Sequence, residues 1–401
     1  MTGRRVAVRR KPKRHPEGSS KGGQFAPDRR GMQEPTAGVQ QGEPADGAAV
    51  EVDAASYLES FDTFRQNHDP ARMVEAKGAW RRRVRELEAE GICTSDAQAI
   101  ADADVLLHKE RAAEASKQAR DDLRLEGFTD ADFAADPGVV QRRVAQQELI
   151  ANVPGIVNLD PPGAQANEYD LDGEGRPTRV YYASFGSNLF ADRFAAYIAG
   201  GQPEGATRTY DGCRDTTPPS GDIPVALNGT VHYAGESKVW EGGGVAFLDT
   251  STQGKSLGRA YCVTADQFDD VVAQECDEAP GSRKLDLPRL LQDGSHTEPG
   301  TYGKLVHVGD YRGAPVFTFT GPFTTAQARA GQHAINPDGY FVRRDSPTTG
   351  KQEGKKDPWP VHSNPPSVAY QNKIAAGLAE THGLTEQQAR TYFAGSTGYH
   401  A

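Results

Sequence analysis

The stretch Ser184-Phe185-Gly186-Ser187-Asn188 joins a strand-like run to an amphipathic helix. Before it, Val180 and Tyr182 alternate with Tyr181 and Ala183, the period of a strand. After it, Phe190, Phe194, Tyr197 and Ile198 repeat at i, i+4, i+7 and i+8, the period of a helix with one apolar face. Gly186 permits backbone conformations that a Cβ would forbid. Ser187 or Asn188 is expected to cap the helix, and Gly200-Gly201 to end it. Free N–H groups at a helix start attract carboxylate or phosphate, so binding of an anion is the chemistry this turn suits. Taken alone, the same junction also serves as a plain structural turn.

Other chemistry finds little support. The four cysteines, Cys93, Cys213, Cys262 and Cys276, have no C-x-x-C spacing. The ten histidines form no H-E-x-x-H and no H-x-H pair. A metal enzyme, including a zinc hydrolase or deacetylase, lacks its ligands, and no cofactor is called for. Cys276 has no histidine placed by sequence to activate it. Asp170-Leu-Asp-Gly-Glu-Gly175 has the acidic look of a calcium loop, but without the glutamate at position 12 it reads as a turn before a strand.

Hydrophobic residues make up 36% and charged residues 25% of the 401, polar enough that part of the chain is expected to stay unburied. Residues 1–30 carry ten Lys and Arg against two acids, leaving 35 basic and 53 acidic residues in the rest. A basic tail thus precedes an acidic body. The tail allows a weak nucleic-acid contact, beside the plainer reading of a solvated leader. No apolar run approaches the ~18–20 residues of a membrane span. No apolar segment follows the basic N-terminus, so no secretory signal is expected. Scattered cysteines fit a reduced, cytoplasmic chain.

Several elements must position the turn. Residues 1–50 read as a disordered polar tail. Residues 51–155 read as a helical accessory region, with helices over 70–91, 94–127 and 136–155. The Arg81-Arg82-Arg83 cluster in it fits a solvated face. A Pro/Gly/Asp-rich linker covers 156–177. From 178, strand-like runs at 179–184, 225–235, 243–249, 257–264, 304–313 and 315–321 outnumber helices at 188–199, 265–275 and 367–395. This gives an α+β class, a mixed β-barrel or sheet with flanking helices. The stretch 333–366 reads as a surface insertion in the 178–401 domain.

Four blocks now line up. Ser-Phe-Gly-Ser-Asn (184–188) is followed by Val239-Trp-Glu-Gly-Gly-Gly-Val-Ala-Phe-Leu-Asp249. Then comes Gly258-Arg-Ala-Tyr-Cys-Val-Thr264 leading into an acidic helix that ends in Glu275, and last Pro366-Ser-Val-Ala-Tyr370 with its Gly-Leu continuation. In this order they resemble the γ-glutamylcyclotransferase family, over roughly residues 178–395. Separately, Arg14–Pro27 resembles a short N-terminal element of actinobacterial phage and mobile-element proteins.

The family resemblance implies a reaction that folds a γ-glutamyl group onto itself. Its α-amine attacks its own γ-carbonyl, 5-oxoproline forms, and an amine or amino acid leaves. It also implies that Glu275 shuttles the proton, with Asp277 and Glu278 as neighbouring carboxylates if the register differs. The turn at Phe185, Gly186, Ser187 and Asn188 would bind the substrate. Tyr370 would add a hydroxyl, or be a core tyrosine. Trp240 and Gly242-Gly243-Gly244 would form a wall, Trp240 through packing. Phe185 departs from the tyrosine usual before that glycine, so one hydroxyl is lost. A module that binds γ-glutamyl or carboxylate ligands without turnover is the alternative, as is a phage or mobile-element accessory protein.

Overall fold

Arg179–Ser184 forms strand β1 because its residues suit a pleat covered on both sides. Val180 and Tyr182 enter one apolar cluster, while Tyr181 and Ala183 face the other. The computed structural model describes residues 70–203, 208–237, 239–331 and 361–399, with side chains from residue 77 onward. The expectations for the tail 1–50, for 51–69 and for most of the insertion at 333–366 lie outside the described residues.

Contacts group the chain into two compact units, Met1–Glu114 and Ala115–Ala401. In the first, helix α1 (Pro70–Ala89) and the opening turns of α2 (Thr94–Leu125) enclose Val84, Leu87, Ala97 and Ala101. Trp80 Nε1 donates to Asp102 Oδ1 at 2.9 Å, and Arg83 pairs with Asp104 at 2.9 Å.

The second unit continues with α3 (Asp130–Ala135), α4 (Val139–Ala151), β1, α5 (Ala191–Ala199), β2 (Asp222–Asn228), β3 (Thr230–Ala234) and β4 (Val245–Asp249). After these come β5 (Lys255–Thr264), α6 (Ala265–Glu275), α7 (Leu287–Asp293), β6 (Ser295–Thr297), β7 (Lys304–Tyr311) and β8 (Ala314–Thr320). Helices α8 (Thr325–Arg329), α9 (Val368–His382) and α10 (Glu386–Ala394) close it.

Six strands form one mixed sheet in the order β2-β5-β1-β8-β7-β6. Its pairs are antiparallel except for β1 with β8, which is parallel. β3 and β4 form a separate antiparallel ribbon. The class is α+β with a mixed sheet, and the barrel half of the expectation is corrected. Among the described residues the edges β2 and β6 do not pair with each other, so the sheet stays open. The expected strand 225–235 breaks at Gly229, and its second half leaves to make the ribbon.

Helices cover both faces of the sheet. On one, Phe194, Tyr197 and Ile198 of α5 and Phe268, Val271 and Val272 of α6 pack with Val180, Tyr182 and Phe317. On the other, Tyr370, Ile374 and Leu378 of α9 and Tyr392 and Phe393 of α10 pack with Ala183, Val225 and Leu257. Full burial of each such side chain contributes roughly 1.5–3 kcal/mol. Cover on both faces explains why β8 is buried along its whole length.

A buried polar node joins the end of α2 and α4 to the ribbon strand β3 and to the segment after α10. Arg143 donates to Asp122 at 3.0 Å, to both Glu126 oxygens at 2.7 and 3.0 Å, and to Gly395 O at 2.8 Å. Glu126 also accepts from Thr230 at 2.7 Å and from Thr397. Burial alone would raise the Glu126 pKa, but Arg143 and these hydroxyls outweigh it and hold the carboxyl below its usual value.

Candidate active site

β1 delivers the turn at the centre of the sheet, between β5 and β8. Phe185 turns into the apolar core and is buried there, where no hydroxyl partner is required. Ser187–Leu189 form a short 3₁₀ turn, and α5 starts only at Ala191. The expected capping by Ser187 or Asn188 is therefore corrected: Phe190 holds the cap position, with no side-chain cap. The two polar side chains are engaged elsewhere. Ser187 Oγ accepts from Arg193 Nε at 2.8 Å, and Asn188 Nδ2 donates to Glu275 Oε1 at 2.9 Å. At the helix start itself, the N–H of Ala191 donates to Glu380 Oε2 at 3.1 Å, so the chain supplies its own anion there.

The turn is held from below. Tyr261 Oη donates to Asn188 O at 2.8 Å, and Arg259 Nη1 donates to Leu189 O at 3.2 Å. Gly186 sits close to Tyr370. A Cβ built at Gly186 would stand 3.0 Å from Tyr370 Oη and 3.5 Å from Ala246 Cβ, so only glycine leaves that hydroxyl undisturbed. Tyr370 Oη accepts from the N–H of Ala246 at 3.2 Å and lies within reach of the Ser187 N–H. Burial pushes the Tyr370 phenol up to about 12. Tyr370 is thus a buried tyrosine whose hydroxyl meets the turn.

Glu275 ends α6, whose Phe268, Val271 and Val272 lock into the core. The residue is half-buried, with its carboxyl closed in by protein. Burial raises its pKa above the ordinary value, while Arg193, the Tyr197 hydroxyl and the Asn188 amide pull it back without cancelling the rise. The two neighbouring carboxylates go elsewhere. Asp277 adopts φ 59° just past the helix and pairs with Arg208 at 2.7 Å. Glu278 pairs with Arg283 at 2.6 Å. Of the three, Glu275 is the one bonded to the turn. Burial pushes the adjoining Cys276 thiol up to about 11, a poor nucleophile at neutral pH.

The sequence reading missed Arg193, Tyr197 and Tyr210. Arg193 Nη2 donates to Tyr210 Oη at 2.7 Å, and its guanidinium lies 5.1 Å from the Trp240 ring and 5.3 Å from that of Tyr210. Trp240 in turn packs on Tyr370, with ring centroids 4.9 Å apart. Burial opposes the Arg193 charge, but Tyr197, Tyr210 and Glu275 more than offset it and raise its pKa. A signal for Arg193 was available. It stands four residues before Tyr197, beside the apolar stripe of α5, where an unpaired arginine does not belong.

The glycine run expected as a wall approaches the chain's own backbone. A Cβ at Gly244 would fall 2.0 Å from Asn364 O, and one at Gly243 would fall 2.4 Å from Ser367 N, just before α9. A surface cleft of about 650 Å³ opens at the start of α6, lined by Asp172, Arg176, Asp215, Asp266 and Lys284 among others. The helix of 11 residues runs from that end to Glu275, a rise of roughly 15 Å. The Asp170–Gly175 segment forms the turn on its rim, with Asp172 Oδ1 accepting the N–H groups of Glu174 and Arg176. Among the described residues, no group of three or more His, Cys, Asp or Glu could hold a metal ion. No described helix is long and apolar enough to cross a membrane.

No protein-family model matches the sequence. A curated protein, histone deacetylase 5 of Arabidopsis thaliana, is 30% identical over 225 residues, which cover 53% of this chain. The match spans 30% of that protein's length. Among solved structures, one titled gamma-glutamyl cyclotransferase matches 53% of this chain and 86% of its own, at 12% identity and TM-score 0.26. The structure of an uncharacterized Homo sapiens protein matches with the same coverage, identity and TM-score.

Proposed function

We propose that residues 178–399 act as a γ-glutamylcyclotransferase-like enzyme on a small-molecule γ-glutamyl substrate. The observation that carries this reading is the 2.9 Å bond between Asn188 of the turn and Glu275. It joins two of the four blocks of the family resemblance, 87 residues apart in the chain.

In the proposed reaction the substrate's α-nitrogen attacks its own γ-carbonyl carbon. A carbon–nitrogen bond forms in the five-membered ring, and the γ-amide carbon–nitrogen bond breaks. Ionised Glu275 takes the proton from the attacking nitrogen and gives it to the departing amine, an effect worth about 10²–10⁴-fold. A carboxyl with a raised pKa suits both halves of that transfer. The N–H groups of Gly186, Ser187 and Asn188 serve the negative charge that develops on the γ-oxygen or the α-carboxylate. Holding attacker and target together supplies the rest, since effective molarities of about 10⁵–10⁸ M are reached by well-oriented pairs.

The alternative is a module that binds the same compounds without turnover. Phe185 favours it, because its buried ring brings no hydroxyl to the turn. Release of 5-oxoproline from γ-glutamyl compounds separates the two readings.

A further inference from the structure

Two buried polar atoms beside Glu275 have no partner among the described residues: Arg193 Nη1 and Asn188 Oδ1. Each residue is only 4% exposed. A buried donor or acceptor left unpaired is costly, so such atoms call for an explanation. Here the other atoms of both groups are fixed. Arg193 Nε is bound to Ser187 Oγ at 2.8 Å and Nη2 to Tyr210 Oη at 2.7 Å, which leaves Nη1 as the free corner of the fork. An ionised Glu275 only accepts, so the Asn188 amide must turn its nitrogen to it and its oxygen away. Two hydrogen bonds, Arg193–Ser187 and Asn188–Glu275, joined through the Ser187–Asn188 peptide, therefore leave a cationic donor at one end and a neutral acceptor beside the base at the other.

We infer that these two atoms read the head of an α-amino acid, with the α-carboxylate on Arg193 Nη1 and the α-nitrogen on Asn188 Oδ1. The assignment rests on the reading of this site as one for γ-glutamyl compounds. It deepens that reading by dividing the work: the side chains take the amino-acid head, and the turn N–H groups are left for the γ-carbonyl oxygen. The α-nitrogen is thereby set next to Glu275, where its proton must go. Trp240, packed against the guanidinium, shields the contact from water and strengthens it. The demand is specific: blocking or deleting either the carboxylate or the amine removes one contact and leaves a buried group unpaired again.

The test is a binding comparison of three amides on the full chain: L-glutamine, glutaramate, which lacks the α-amine, and 4-aminobutyramide, which lacks the α-carboxylate. A charge-assisted bond in a buried site corresponds to about 10- to 100-fold in affinity. L-Glutamine is expected to bind at least about tenfold tighter than either analogue. Arg193→Met is expected to lower L-glutamine affinity to that of 4-aminobutyramide while leaving 4-aminobutyramide unchanged. Because Arg193 also braces Ser187 and Tyr210, a melting curve accompanies that variant; if it does not fold, the three-ligand comparison on the unaltered chain decides. Equal binding of L-glutamine and 4-aminobutyramide, or no binding of L-glutamine, overturns the inference. Discrimination among the amides without 5-oxoproline release keeps it and removes the enzyme reading. Turnover of γ-glutamyl compounds without discrimination removes the inference alone.

Discussion

Asn188→Asp puts a second carboxylate where the amide now stands, 2.9 Å from Glu275 Oε1. The shape is unchanged, so the perturbation is electrostatic. Two like charges at 4 Å repel by about 4 kcal/mol at an effective dielectric of 20, and by about 1 kcal/mol in bulk water. Half-buried Glu275 lies between those limits. Since ~1.4 kcal/mol is tenfold in a proton equilibrium, the two acids are expected to share one proton over at least roughly one pH unit. The assay is the pH dependence of kcat/KM, whose acid limb reports ionisation of the essential base in the free enzyme. In the unaltered chain, activity falls as pH drops through the Glu275 pKa, which burial holds above the ordinary value. In Asn188→Asp that limb is expected to move to higher pH by about one unit or more. Asn188→Leu, which toward Glu275 deletes a donor that favours the ionised carboxyl without adding a charge, moves it in the same direction by less. A carboxyl ¹³C titration reads the same change without turnover. An unmoved or more acidic limb in Asn188→Asp would refute the view that the amide tunes Glu275.

Three further outcomes follow from the same contacts. Glu275→Gln should melt no lower than the unaltered chain at pH 7–8. A raised native pKa means the group's stabilising contribution is complete below its unfolded value and lost as pH rises through the native one, so the gain should vanish in acid. A clearly lower melting temperature at pH 8 would contradict this. Arg143→Met leaves buried Glu126 without its cation and should cost about 3–5 kcal/mol in urea unfolding, whereas a loss under about 1 kcal/mol would mean the node is dispensable. Cys276→Ala should leave 5-oxoproline release within a few-fold, because burial keeps the thiol protonated; abolished turnover would instead point to thiol chemistry.

Local rules carried the strands and the helix faces. The alternation at 179–184 and the stripe at 190–198 are short-range patterns, and β1 and α5 lie where those patterns end. Helix 265–275 was legible for the same reason, with its Thr264 capping box. Long-range pairing was not legible. The open sheet depends on β3 leaving at Gly229, and the tie between α4 and the end of α10 depends on Arg143 reaching Gly395, 252 residues on. The site divided along the same line. Its turn and its glutamate were readable from local pattern and resemblance, whereas the Arg193–Tyr210–Trp240 group is assembled only by packing. The cap expectation failed because Ser187 and Asn188 had stronger partners than the backbone of α5.

The most direct test of the central claim is 5-oxoproline release from a panel of γ-L-glutamyl amino acids, peptides and amines, run on the unaltered chain beside Glu275→Gln. Release from at least one compound is expected, falling by about 100-fold or more in Glu275→Gln while its melting curve is retained. No release from any compound, or near-normal release by Glu275→Gln, would contradict the account.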